Sequence, residues 1–208
     1  MNQLSPAMSA SSGRRFSTTR FAMYNALEAF LASYPGGKNV LLVSEGTEPA
    51  IRLMFPADTH FTTTTYPPID IADLSAFGDN RFDCVVTDQV LEHVRQPWRA
   101  LTELRRVLVP RGTAINTSCS FNPIHDSCDY YRFMPDGFRA LHEDYLGEVL
   151  LSGFWGNRES IGDYVVSGKK SFDVRTDDAA LALATQTDVK WPWVVWCVAR
   201  TPGGRIQQ

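Results

Sequence analysis

The apolar positions of this chain follow two different periods, and these divide it into alternating helices and strands. Phe21, Tyr24, Leu27, Leu31 and Tyr34 recur at steps of three and four residues, which predicts a helix from Arg20 that Pro35-Gly36-Gly37 stops. Asn39 to Val43 is a short continuous apolar run, the pattern of a strand buried on both faces of a parallel sheet. Pro49 suits the first turn of a short helix through Phe55. From His60 to Thr65 the four threonines favour a strand over a helix. Pro67-Pro68 breaks the chain, and Ile69 to Leu74 predicts a short third strand or extended segment.

The turn Gly78-Asp79-Asn80 leads into a fourth, buried strand around Phe82 to Asp88, which runs straight into polar residues. Trp98, Leu101, Leu104 and Leu108 then form one stripe of a helix over 97–108, with Arg99, Glu103 and Arg106 facing water. Pro110 and Gly112 occupy favourable positions of a type I turn before a fifth strand, Thr113 to Cys119. A polar, aromatic-rich connector and a helix from about Pro135 to Leu141 follow. Glu148 to Trp155 and Val194 to Ala199 read as two last strands, separated by an insertion at about 157–190 that carries Lys169-Lys170 and an Ala/Leu-rich helical piece at 178–185. The expected organisation is a flexible, Ser- and Thr-rich segment over 1–19 and a single domain over 20–208.

Composition narrows the function classes. A net charge of -3 over 208 residues gives no basic face built for nucleic acid, so no nucleic-acid partner is expected. No apolar run approaches the ~20 residues that cross a bilayer, so no membrane association is expected. Arg14-Arg15-Phe16 has the look of a twin-arginine export signal, but Asn25 and Glu28 make the following stretch amphipathic rather than an apolar core, and a cytoplasmic protein is expected. The four cysteines, Cys84, Cys119, Cys128 and Cys197, contain no CxxC pair and read as reduced thiols. Cys119, His125, Cys128 and His142 fit no common zinc spacing, so no metal is expected.

The order strand, polar switch, helix, proline-glycine turn and strand over residues 82–119 resembles the back half of a class I S-adenosylmethionine-dependent methyltransferase of the type 11 kind. The resemblance implies a Rossmann-like α/β fold: a mostly parallel seven-stranded sheet, helices on both faces and an antiparallel terminal strand. It also implies S-adenosylmethionine as cofactor, bound along the carboxyl edge of the sheet. The family's acidic–x–Gly–x–Gly–x–Gly loop falls on Leu42, Ser44, Gly46 and Glu48, of which only Gly46 matches; the motif is degenerate. Glu45 offers a negative charge beside that loop, or else simply faces solvent. Where the family ends its second strand with a ribose-binding carboxylate this chain has Thr65. Asp73 and the Leu74 amide match the adenine contacts, and Asp88-Gln89 matches the pair that faces donor and acceptor.

A second resemblance lies in His125-Asp126-Ser127-Cys128-Asp129-Tyr130-Tyr131-Arg132-Phe133, which is similar to a His…Asp-Tyr-(Tyr/Trp)-Arg-Phe run of a subgroup often associated with bacterial glycan and secondary-metabolite pathways. It implies His125 as a general base with Asp129, Tyr130 and Tyr131 toward a small-molecule acceptor. A structural clasp built on His125 and Arg132, with the aromatics in the core, is the competing reading. His93 reads as a structural histidine. The expected activity is methyl transfer to a small-molecule or sugar-like acceptor. The alternative is a catalytically silent methyltransferase fold serving as a binding, scaffold or regulatory subunit, and a homo-oligomer or protein partner is compatible with either.

Overall fold

A computed structural model of the chain describes residues 16–34, 37–44, 46–168 and 173–204. The apolar runs of the sequence become six strands of one sheet: β1 (Asn39–Ser44), β2 (His60–Thr64), β3 (Phe82–Asp88), β4 (Leu108–Cys119), β5 (Glu148–Trp155) and β6 (Val194–Arg200). Their spatial order is β2-β1-β3-β4-β6-β5, with β1, β2, β3 and β4 parallel and β6 antiparallel to both β4 and β5. The predicted mostly parallel α/β sheet with its antiparallel strand is therefore present. Among the described residues the strand expected at 69–74 is not formed, because residues 66–73 form turns instead. There Ala72 donates its amide to Asp70 Oδ1 at 2.8 Å and Asp73 donates to the Asp70 carbonyl at 2.9 Å, so side chain and local backbone satisfy amides that a strand would have paired with a neighbour.

Among the described residues six α-helices cover the faces: α1 (Thr18–Ser33), α2 (Glu48–Arg52), α3 (Pro97–Val107), α4 (Pro135–Tyr145), α5 (Arg158–Ser167) and α6 (Asp178–Ala184). Strand alternation decides which residue meets which face. Leu42, Cys84, Val86 and Ile115 pack with Tyr24, Leu27 and Leu31 of α1, whereas Leu41, Val85 and Ala114 pack with Leu101 and Leu104 of α3 and Phe138 of α4. The insertion folds back as α5 and α6, and Ala180 and Ala184 of α6 share a small apolar cluster with Phe16, Phe21 and Val174. Residues 16–19, expected within the flexible segment, are thus part of the fold, and Phe16 is fully buried. Lys169-Lys170 lies outside the described residues.

The proline-glycine turn at 110–112 is absorbed into β4 as a bulge. The β3–β4 register jumps from Phe82↔Leu108 to Cys84↔Thr113, and Arg111 takes a left-handed φ of 63°.

A buried polar ladder crosses the α4 face. Thr87 donates to Asn116 Oδ1 at 2.6 Å, and the Asn116 amide donates to His142 Nε2 at 2.9 Å. His142 Nδ1–H donates to the Phe138 carbonyl at 2.7 Å. Both ring nitrogens are used by a neutral imidazole, and burial lowers its pKa from 6.5 to about 4.

This has a defined sign in solution. Between about pH 6.5 and pH 4 the unfolded chain carries a proton on His142 that the folded chain does not, so acidification through that window destabilises the protein. The limiting slope is about 1.4 kcal/mol per pH unit for one site. The difference in urea-unfolding free energy between wild type and His142→Gln should therefore narrow as pH falls from 7 to 5. Taking the difference cancels opposing contributions from other groups, and a constant difference would show that His142 takes up its proton as readily in the fold as in the unfolded chain.

Candidate functional site: a cleft at the carboxyl edge of the sheet

β1 lies between β2 and β3, so the chain leaves it in opposite directions and opens a crevice where open α/β sheets bind ligands. A cleft of about 590 Å³ occupies that place. This lies within the ~300–1,000 Å³ usual for small-molecule sites. The end of β1 contributes Val43 and Ser44, the segment after β2 contributes Thr65 and Tyr66, and the 69–73 turns contribute Asp70 and Asp73. Gln89, Val90 and His93 come from the end of β3, Arg99 from α3, and Asp126, Cys128 and Tyr130 from the connector after β4.

The sequence-derived site residues separate into two groups here. Ser44, Thr65, Asp73, Gln89 and Tyr130 all line the cleft. Ser44 is buried, however, and its hydroxyl pairs with that of Thr47. Gly46 has a left-handed φ of 74°, a conformation that favours glycine, so the one retained glycine of the loop is required by its backbone. Glu45 lies outside the described residues.

Asp88 does not line the cleft. Alternation along β3 puts it on the same face as Cys84 and Val86, toward α1. Its Oδ2 accepts the Tyr24 hydroxyl at 2.7 Å and its Oδ1 accepts the Thr117 hydroxyl at 2.6 Å, with Arg20 Nε 3.7 Å away. Burial, then the neighbouring carboxylate, push the Tyr24 phenol well above its ordinary pKa, so it remains a donor. Gln89 alone turns to the cleft, in a left-handed conformation with φ 57°, and its amide donates to Thr117 Oγ1 at 3.0 Å. Leu74 is engaged as well: its amide donates to Glu103 Oε2 at 2.8 Å, and Arg106 donates to its carbonyl at 2.9 Å. Those two side chains strap the 70–79 segment to α3 and occupy the amide assigned to adenine.

The connector over 122–133 is closed by a clasp. Arg132 donates to both oxygens of Asp129, at 2.7 Å to Oδ2, and to the carbonyls of Asn122 at 2.8 Å and Pro123 at 2.9 Å. This pairing holds the Asp129 carboxyl well below its ordinary pKa. Tyr131 stacks on Phe133 with centroids 5.6 Å apart and donates its hydroxyl to the Arg95 carbonyl at 3.0 Å. Asp129 and Tyr131 therefore shape the connector, and only Tyr130 of the three acceptor residues reaches the cleft.

His125 is exposed on the connector and does not line the cleft; its ring lies 4.9 Å from that of His93. His93, read from sequence as a structural histidine, does donate its Nδ1–H to the Cys128 carbonyl at 2.5 Å, and its ring also lines the cleft. It ends the short turn Leu91–His93 just beyond β3, on the carboxyl edge where the ligand crevice opens. Beneath it, Glu92 is fully buried, accepts the Ser118 hydroxyl at 2.6 Å, and has its carboxyl pushed up by burial.

Residues 52–116 match a methyltransferase-domain family. The matched span runs from the end of α2 through most of β4 and contains most of the residues that line the cleft. The chain has the fold of a class I methyltransferase. Among solved structures it is similar to the [4+2]-cyclase SpnF, at 19% identity and a TM-score of 0.54 over 94% of this chain and 86% of that one. It is also similar to a SAM-dependent methyltransferase from Archaeoglobus fulgidus, at 13% identity and 0.54 over 88% and 94%. A third, the CurJ carbon methyltransferase, gives 12% identity and 0.57 over 88% of this chain and 55% of that chain. No protein of curated function matches the sequence. No helix among the described residues is long and apolar enough to cross a membrane.

The Tyr24–Asp88 bond ties α1 to the end of β3. Tyr24→Phe removes the donor and leaves a buried carboxylate oxygen short of a partner. The expected cost is ~1–3 kcal/mol in urea unfolding, and an unchanged midpoint would show that Arg20 compensates by moving onto Asp88.

Proposed function

We propose that this protein transfers a methyl group from S-adenosylmethionine to a small-molecule or sugar-like acceptor. The observation that carries the reading is the cleft itself, at the switch point of a methyltransferase fold and with a polar lining that changes character from one end to the other. At one end Asp73 and Asp70 stand beside Ile69 and Ile71, a setting for the adenine ring and its amino group. At the other end Gln89, His93 and Tyr130 stand around the acceptor's place. When bound, S-adenosylmethionine supplies a methyl carbon made electrophilic by its sulfonium.

The chain's own contribution is mostly positioning. Holding acceptor and donor in line supplies a large share of the barrier reduction without covalent chemistry. Thr65 offers a neutral hydroxyl to the ribose in place of a carboxylate, so adenine recognition has to carry more of the affinity. Activation of the acceptor belongs to the His93–His125 pair, with His125 as the proton acceptor.

A second reading has its own support. Asp88 is locked to Tyr24 and Thr117, the Leu74 amide is taken by Glu103, and Ser44 is turned onto Thr47. Three of the expected donor contacts are thus satisfied within the protein. That arrangement suits a methyltransferase fold kept as a binding or regulatory subunit, and the [4+2]-cyclase neighbour has the same fold under a different activity.

Calorimetric titration with S-adenosylmethionine and its demethylated product decides between the two. Asp73→Ala should weaken binding about tenfold or more, and unchanged affinity would remove Asp73 from the site. No heat from the wild type at millimolar donor would leave the subunit reading standing. His125→Asn should bind donor normally and turn over ~10²–10⁴-fold more slowly, with full activity ruling out any part for this ring in acceptor activation.

A further inference from the structure

The wall behind the acceptor end of the cleft contains more than two imidazoles. One carboxylate oxygen of Glu92 and one ring nitrogen each of His93 and His125 lie within 4.8 Å of one another. These three come from the turn after β3 and from the connector after β4, so the fold, not the sequence spacing, brings them together.

Two further observations define what the cluster offers. Glu92 is wholly buried, and among the described residues its Oε1 has no hydrogen-bond partner, while Oε2 accepts from Ser118. A buried carboxylate oxygen without a donor is a cost that folding normally avoids, and it is one that a cation removes. Each histidine is also held in the tautomer that suits a ligand. His93 Nδ1–H donates to the Cys128 carbonyl at 2.5 Å, and His125 Nδ1 lies 3.1 Å from both the Pro123 carbonyl and Asp129 Oδ2. With the proton on Nδ1, the lone pair of each ring is on Nε2. A metal-binding histidine is usually oriented in this way, by a carbonyl or carboxylate that accepts from its far nitrogen.

We propose that Glu92, His93 and His125 form a binding site for a divalent transition-metal ion at the acceptor wall of the cleft. Two imidazoles and one carboxylate are a donor set suited to such an ion, with remaining positions open to water or a ligand oxygen. Ligand atoms about 2.1 Å from a shared ion stand roughly 3–3.5 Å apart, so modest rotations of His93 and His125 would complete the set. The metal site itself stands on these three side chains. Its use, lowering the pKa of an acceptor hydroxyl, rests on the methyl-transfer reading above.

The test uses the full chain, stripped with a chelator and titrated with Zn²⁺, and separately with Co²⁺, in the absence of donor. One equivalent of zinc should bind, and cobalt should develop the visible absorption of a low-coordinate site. His125→Asn and His93→Asn, each checked for folding by circular dichroism, should weaken zinc binding about 100-fold or more. His60→Asn, at the exposed start of β2, should leave it unchanged. Absence of stoichiometric binding, or wild-type affinity in His125→Asn and His93→Asn, would overturn the site. Zinc binding without donor binding would sink the methyl-transfer reading alone, and donor binding without zinc would sink the metal site alone.

Discussion

The carboxylate of Asp88 is the charge around which the rest of the molecule is arranged. It sits at the carboxyl end of a strand buried on both faces, where an unpaired anion would be prohibitive. Tyr24 and Thr117 satisfy its two oxygens, and Arg20 approaches within 3.7 Å. These partners come from α1 and β4, so the same bonds dock the first helix against the sheet and fix β4 beside β3. The chain turns at the next residue. Gln89 does so with a left-handed backbone, and that turn opens the cleft floor and leads into Glu92 and His93.

The cleft's two ends differ in how they are held. Toward the 70–79 segment the backbone is strapped to α3 by Glu103 and Arg106, an arrangement that fixes Asp73 at the rim while using the Leu74 amide internally. Toward the connector after β4, Arg132 and Asp129 close a loop on itself, and the amides of Tyr130 and Tyr131 donate to the Glu92 carbonyl at 2.8 and 3.2 Å. The connector is therefore pinned to the turn after β3. That pinning brings His125 against His93 over a buried carboxylate at one end of the cleft.

Fold and site were not equally legible in the sequence. Most of the sheet could be read, because buried parallel strands are continuous apolar runs and the flanking helices carry clear three-four stripes. Leu101 and Leu104 on α3, and Tyr24 and Leu27 on α1, pack where their periodicity places them. Residues 69–74 were misread as extended, because Asp70 and its neighbours satisfy the local amides without a partner strand. At the site, the side chains singled out from sequence divide: Ser44, Thr65, Asp73, Gln89 and Tyr130 line the cleft, while Asp88, Asp129 and Tyr131 are bonded within the fold. Asp88 and Gln89 are adjacent, yet alternation sends one to α1 and leaves the other at the cleft.

What the sequence determined by itself was the order of elements, the class of fold and the two segments that carry polar chemistry, since each is a property of local pattern. Tertiary structure decided which polar atoms remain available. Thr117 lies 29 residues from Asp88, Glu103 lies 29 from Leu74, and Tyr24 lies 64 from Asp88, and it is these distant partners that consume the expected contacts. The juxtaposition of Glu92, His93 and His125 is likewise a result of the β3 and β4 ends meeting at one edge of the sheet. A hydrogen bond or a ligand cluster depends on separations of a few ångströms between residues far apart in the chain, and only the packed fold sets those separations.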